Sequence, residues 1–192
     1  MNLGTLFIIN YNINTYKSQM LYIFTGNGKG KTTAALGQAI RAVGEGKRVL
    51  MVQFIKGPWK SGEDFLAKGL EPNFKLVKMG KGFVGIMGDT LPREEHKKAA
   101  EEALEFARKE AESGNWDILI LDEINNAVSL NIISKEKVVE FINSSQEKIQ
   151  HLILTGRDAP QEFVDHADLV TEMRDVKHPY NKGAKGRRGL EY

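Results

Sequence analysis

Several short segments of the chain are apolar at nearly every position: VLMV within RVLMVQF (residues 48–54), ILIL within DILILD (117–122) and LIL within HLILTG (151–156). A strand with one wet face alternates apolar and polar residues, because successive side chains point to opposite faces. A strand apolar throughout is covered on both faces, which is the situation of parallel strands between layers of helix. LYIFT, FKLVK and DLVTEM read as further strands. The stretches between them carry helical spacing. KTTAALGQAIRAVGEG places Ala34, Ala35, Ile40, Ala42 and Val43 as small or apolar positions and ends at Gly44 or Gly46. A long helix is expected from about Pro92 to Ser113, capped by Asp89 or Thr90, with Ala100, Ala103, Leu104, Ala107 and Ala111 as its buried stripe. Another is expected over residues 134–146, burying Val138, Val139, Phe141 and Ile142, and a short one opened by Asp158, Pro160 and Gln161 and ending near His166. KGPWKSGE reads as a loop, and GKGFVGIMGDTLP as a Gly-rich segment too apolar to be idle surface. Strands alternating with helices predict an α/β fold: a mostly parallel open sheet with helices on both faces. Neither a repeat nor a compositional break divides it. We expect one domain over residues 20–192, preceded by a poorly ordered Asn- and Tyr-rich extension over residues 1–19.

The segment TGNGKGKTT (25–33) sits between the first strand and the first helix. Gly30, Lys31 and Thr32 match the end of a P-loop, G-x-x-x-x-G-K-[ST], while its first position is Thr25 rather than Gly. Gly26, Asn27, Gly28 and Lys29 complete the loop, and Thr33 follows it. Glycines let successive backbone N–H groups turn inward onto phosphate, the helix N-terminus adds partial positive charge, and Lys31 adds a full one. The Thr32 hydroxyl suits a magnesium ion. ILILDE (118–123) brings Asp122 and Glu123 to a strand's carboxyl end, where open α/β sheets bind ligands, and in P-loop proteins such an acid serves the magnesium. The expectation is a nucleoside triphosphate with Mg2+ in a P-loop NTPase, RecA-like fold.

Composition narrows the chemistry. The chain has no cysteine, which excludes a disulfide framework, a thiolate metal site and a cysteine nucleophile. A net charge of +2 does not call for nucleic acid. No apolar run approaches the roughly 20 residues of a membrane span, and no basic segment precedes the first apolar run, so a secretory signal is not expected. We expect a cytoplasmic protein without nucleic-acid or membrane partners. A P-loop and an acid do not by themselves name a reaction: a RecA-like ATPase on nucleic acid, a small-molecule kinase and a nucleotide-binding regulator all remain open on these motifs.

Four further segments narrow the choice: VQFIKGPWKSGE (52–63), LDEINNAV (121–128), LTGRDAP (154–160) and LVTEMRDVKHPYNKGAKGRRGLEY (169–192). With the Gly-rich loop, this ordered set resembles the P-loop-type ATP:corrinoid adenosyltransferases over nearly the whole chain from Leu21. The resemblance implies that Co(I) of a reduced corrinoid attacks the ribose 5′ carbon and that the whole triphosphate leaves. The nucleotide then lies reversed in the loop, with its terminal phosphate deep. Lys31 and Thr32 are implied for the triphosphate, and Thr32 with Glu123 or Asp122 for magnesium. The family's aromatic Gly-Phe-Thr-Trp stretch, which strips the lower cobalt ligand so that Co(II) can be reduced, corresponds to Gly82, Phe83, Val84 and Gly85. Phe83 is kept and the Trp position is Gly85, which leaves the wall to Phe83 with Ile86 and Met87, or to another aromatic such as Trp59. Arg157 matches the family's Thr-Gly-Arg, as a phosphate contact or as a structural partner of a carboxylate. Asn125 and Asn126 are candidates for hydrogen bonds near the site. The basic tail carrying Lys177, Lys182, Lys185, Arg187 and Arg188 is either solvated or closed over the substrates. The resemblance further implies cob(I)alamin or an earlier corrinoid as co-substrate, a flavodoxin-type or reduced-flavin electron donor, and a homodimer.

Overall fold

A computed structural model describes residues 19–86, 88–179, 183 and 185–190. The chain runs β1 (Met20–Thr25), α1 (Lys31–Gly44), β2 (Val49–Gln53), α2 (Gly62–Gly69), β3 (Phe74–Lys78), α3 (Arg93–Glu112), β4 (Ile118–Asp122), α4 (Ile124–Ser129), α5 (Lys135–Ser145), β5 (His151–Thr155), α6 (Gln161–His166) and β6 (Leu169–Glu172). The strands form one sheet in the order β3-β2-β4-β5-β1-β6, and every pairing is parallel.

The continuous apolar runs have the cause expected of them. Alternate residues of one strand enter opposite layers: Leu119 and Leu121 join a core with Leu50, Val52 and helices α3 and α5, whereas Ile118 and Ile120 join one with Val49, Met51 and α1. β6, at the sheet edge, is exposed at every residue, Leu169 and Val170 included. Because all the strands are parallel, their carboxyl ends gather at one edge. The loops carrying the Gly-rich segment, Asp122, Glu123 and Arg157 therefore meet there.

The structure departs from the sequence reading at several points. Of the α1 positions expected to be small or apolar, Ala35 and Ala42 are buried against the sheet, with Ala39 beside them, but Ile40 is 48% exposed; the small side chains let the backbone come close. α3 is not capped by Asp89 or Thr90: Pro92 stands at its N-cap, and Asp89 reaches back to accept from Gly85 N (2.7 Å) and Leu91 N (3.0 Å) while lying 3.1 Å from His96 Nε2. The loop expected around KGPWKSGE gives way at Gly62 to α2, whose Ser61 and Asp64 form a capping box that the glycines at its ends obscured. Of the expected N-terminal extension, only Gln19 is among the described residues. It is buried, its side-chain amide donating to Ser145 O and Ile149 O, and it belongs to the domain. The other expectations on residues 1–18, and those on Met87 and Lys182, lie outside the described residues.

Candidate active site

The turn from β1 into α1 wraps the Lys31 ammonium with its own backbone. Lys31 Nζ donates to Gly26 O at 2.8 Å and to Gly28 O at 2.7 Å. Gly28 is obligatory for a packing reason: its N–H donates to Met173 O at 2.6 Å, and a Cβ there would stand 2.7 Å from Arg174 backbone atoms. The chain leaving β6 thus forms the back wall of the loop. Lys29, Gly30, Lys31, Thr32 and Thr33 line a cleft of about 430 Å3 together with Lys56, Glu63, Glu123, Asn126, Arg157 and the tail residues Gly189 and Leu190. Asn27 is exposed and does not line it. Lys29 Nζ donates to Leu190 O at 2.5 Å, which ties the tail to the loop.

The two neighbouring acids have different surroundings. Asp122 is fully buried and its carboxylate accepts three hydrogen bonds: Oδ1 accepts from Thr32 Oγ1 (2.8 Å) and Thr155 Oγ1 (2.7 Å), and Oδ2 accepts from Gln53 Nε2 (2.9 Å). Glu123 turns back at φ 64°, with its N–H donating to Thr155 Oγ1 (2.9 Å), and it lines the cleft. Burial, then the charge of Asp122, pushes the Glu123 carboxyl up to about 7, against the pull of Lys56, Lys31 and Arg157. Arg157 N donates to Asn126 Oδ1 at 2.8 Å, and Asn125 Nδ2 donates to Gly156 O at 3.3 Å.

A second cleft of about 430 Å3 adjoins the first. Ile55, Trp59, Gly82, Phe83 and Lys78 line it, and Lys56 and Glu123 line both. Phe83 is no core residue: it is 47% exposed and stacks on Trp59, ring centroids 6.1 Å apart and planes 28° apart. A Cβ on Gly82, at φ 112°, would stand 2.8 Å from the Trp59 ring, so only glycine leaves the indole its place. Lys78 Nζ donates to Trp59 O (2.7 Å) and to Asp64 (2.6 Å), fixing the loop that carries the indole.

A profile of the ATP:corrinoid adenosyltransferase BtuR/CobO/CobP family matches residues 17–192. The chain belongs to this family. The corrinoid adenosyltransferase of Escherichia coli K12 is 40% identical over 174 residues, 90% of this chain and 85% of that protein. The corrinoid adenosyltransferase CobA of Salmonella typhimurium is 38% identical over the same shares. In solved structures, the flagellar accessory protein FlaH of Methanocaldococcus jannaschii matches with a TM-score of 0.52 at 12% identity, over 81% of this chain and 70% of that one, a likeness of fold alone. The chain is thus a corrinoid adenosyltransferase by family, and ATP-dependent adenosylation of a corrinoid is its activity.

For this adenosyltransferase, sequence reasoning missed Gln53 and Thr155, which hold Asp122, and Lys56 and Glu63, which line the cleft beside the Gly-rich loop. Gln53 and Thr155 carried a faint signal as polar residues closing apolar strands. Lys56 and Glu63 lay within a family segment but had no spacing that distinguished them from solvated charge.

Proposed function

We propose that the chain transfers the 5′-deoxyadenosyl group of ATP to the cobalt of a Co(I) corrinoid and releases intact triphosphate. The observation that carries the reading is the junction of the two clefts at Lys56 and Glu123. One cleft is lined by a phosphate-binding loop, the other by stacked aromatics that suit a broad, flat substrate. Joining a nucleotide carbon to a corrinoid requires the ribose to lie between them, so the triphosphate points away into the loop. The cobalt supplies the electron pair and no proton moves, so no general base is required. The chain's contribution is to orient the ribose and to hold the negative charge of the departing triphosphate with loop N–H groups and Lys31.

Mg2+ fits the donors present. Thr32 and Glu123 offer oxygen to the cleft, Asp122 orients the Thr32 hydroxyl from behind, and the Glu123 carboxyl is raised by burial and then by the Asp122 charge, both of which a bound cation would offset. Among the described residues no cluster of three or more His, Cys, Asp or Glu is present that would enclose a metal. The ion would therefore draw its remaining ligands from phosphate and water, as Mg2+ commonly does. When bound it supplies charge neutralisation for the triphosphate. A flavodoxin-type or reduced-flavin donor, a homodimer and a cytoplasmic setting belong to the same proposal and are supported by the family resemblance. No helix among the described residues is long and apolar enough to cross a membrane.

The test is anaerobic. Protein, ATP, Mg2+ and chemically reduced Co(I) corrinoid are mixed, cobalt–carbon bond formation is followed by absorbance, and the phosphate product is identified. A light-sensitive adenosylated corrinoid with intact triphosphate is expected. ADP and phosphate without a corrinoid product would overturn the reading in favour of a kinase or ATPase.

The aromatic pair gives a second expectation. Trp59→Ala and Phe83→Ala each slow Co(II) reduction by about tenfold, the scale of one lost aromatic contact, and leave ATP affinity unchanged. Reduction at the wild-type rate in both variants would remove the pair from the corrinoid site.

A further inference from the structure

The geometry points to Lys56 as a catalytic residue that stabilises the oxygen leaving the ribose 5′ carbon. The inference rests on the proposed reaction and assigns the charge at its reacting centre.

Cobalt–carbon bond formation and carbon–oxygen bond cleavage occur at the same ribose carbon, which must lie where the nucleotide cleft opens into the aromatic one. Lys56 and Glu123 are the residues common to both linings. As the cobalt electron pair forms the new bond, formally taking Co(I) to Co(III), the electron pair of the C5′–O5′ bond stays with the oxygen. The leaving triphosphate gains one negative charge at that end. A carboxylate there opposes this charge and an ammonium stabilises it, so of the two residues Lys56 has the required sign. Lys31 does not serve the same atom in this arrangement: it sits on the carbonyls of Gly26 and Gly28, inside the loop that takes the distal phosphates.

The surroundings of Lys56 preserve its charge and hold it in place. Burial works against the ammonium, but Asp122, Glu63 and Glu123 outweigh burial and keep its pKa above that of a free lysine. Its Nζ donates to Glu63 Oε1, and the same contact holds the Glu63 carboxyl below its ordinary range although burial alone would raise it. An ammonium has three N–H donors, so the bond to Glu63 leaves two to turn toward a substrate oxygen. The Lys56 side chain is 30% exposed, which is open enough for contact with a ligand. The backbone of the preceding residue is pinned as well, with Ile55 O accepting from Gly82 N at 2.9 Å. The loop that carries this cation and Trp59 is thus joined to the loop that carries Phe83.

A purely structural ion pair is the competing account, and the two differ in what each partner's loss does. Lys56→Gln, Lys56→Arg and Glu63→Gln are each assayed for ATP affinity by titration and for kcat and corrinoid KM with preformed Co(I) corrinoid, which bypasses the reduction step. Thermal unfolding checks the fold. Lys56→Gln is expected to lower kcat by about a hundredfold or more, the scale of losing one charge-stabilising donor, with ATP affinity and corrinoid KM little changed. Lys56→Arg is expected to recover part of the loss, and Glu63→Gln, which keeps the cation but loosens its hold, to lose clearly less than Lys56→Gln. Equal losses in Lys56→Gln and Glu63→Gln overturn the assignment, as does a loss confined to ATP affinity or an unchanged kcat in Lys56→Gln. Wild-type protein in the same assay separates the two levels: no adenosylated corrinoid from wild type refutes the proposed reaction, whereas normal wild-type turnover with an unaffected Lys56→Gln refutes the role of Lys56 alone.

Discussion

Lys31→Ala is expected to lower turnover by about a hundredfold or more, because it removes a preorganised cationic donor from the loop proposed to grip the leaving triphosphate. In the unliganded loop the ammonium is held by Gly26 O and Gly28 O, and its pKa is lowered, first by burial and then by the charge of Arg157, with Glu123, Asp122 and Asp158 opposing. Entry of a triphosphate reverses that balance, because several negative charges arrive where burial and Arg157 now disfavour a positive one. The lysine is therefore poised to bind polyphosphate more strongly than its resting contacts bind it. Lys31→Arg is not expected to restore activity, since a planar guanidinium is longer and does not replace a compact ammonium within a tight loop. Steady-state kinetics with ATP titrations on both variants provide the check. Near-normal turnover in Lys31→Ala would remove the residue from the triphosphate grip.

Glu123→Gln is expected to make the nucleotide-free protein more stable and the enzyme far less active. The carboxyl titrates at about 7 in the folded protein instead of its ordinary 4.5. Below the lower value it is protonated in both folded and unfolded states and has no effect on stability. As pH rises from about 4.5 to 7 the unfolded chain releases the proton while the folded chain keeps it, so folding becomes progressively less favourable. The penalty is full above pH 7 and on the order of 1–3 kcal/mol. The neutral amide of the Glu123→Gln variant carries no such penalty. The melting temperature of Glu123→Gln should therefore exceed that of wild type by roughly 3–10 °C at pH 8 in the absence of nucleotide and Mg2+, and the difference should vanish near pH 4. Turnover should fall by about a hundredfold or more if the carboxylate is a metal ligand. A lower melting temperature for the variant at pH 8 would mean that Glu123 is already compensated in the free protein, which would remove the electrostatic reason for a cation beside it. Stability is here sacrificed at a functional position, and thermal scans at two pH values detect it without any assay of activity.

The differing legibility of the site's parts has a physical basis. Lys31 and Thr32 stood out because a loop and the first turn of a helix are local structures: spacing along the chain sets spacing in space. Asp122 and Glu123 were visible together as the end of an apolar strand, but their roles were not separable. Their difference comes from partners contributed by three other elements: Gln53 on β2, Thr32 on α1 and Thr155 on β5. Those contacts engage both oxygens of the buried Asp122, while Glu123 lines the cleft. Trp59 and Phe83 follow the same rule. The sequence offered several candidates for the wall, and the pairing followed only once Gly82 was seen to yield room for the indole.

From the sequence alone followed the α/β class, the parallel sheet with helices on both faces, the Gly-rich turn before α1 and the family. Each rests on short-range signals: two-sided apolar strands, helical periodicity, a glycine-rich loop before Lys-Thr, and an ordered set of segments. Only the tertiary structure decided that Ile40 faces out of α1, that Asp122 is fully enclosed while Glu123 reaches the cleft, and that the cleft beside the Gly-rich loop adjoins an aromatic one at Lys56 and Glu123. These features join residues dozens of positions apart across the carboxyl edge of the sheet. Burial and electrostatics there are set by what the folded chain brings together, and no local pattern of residues records them.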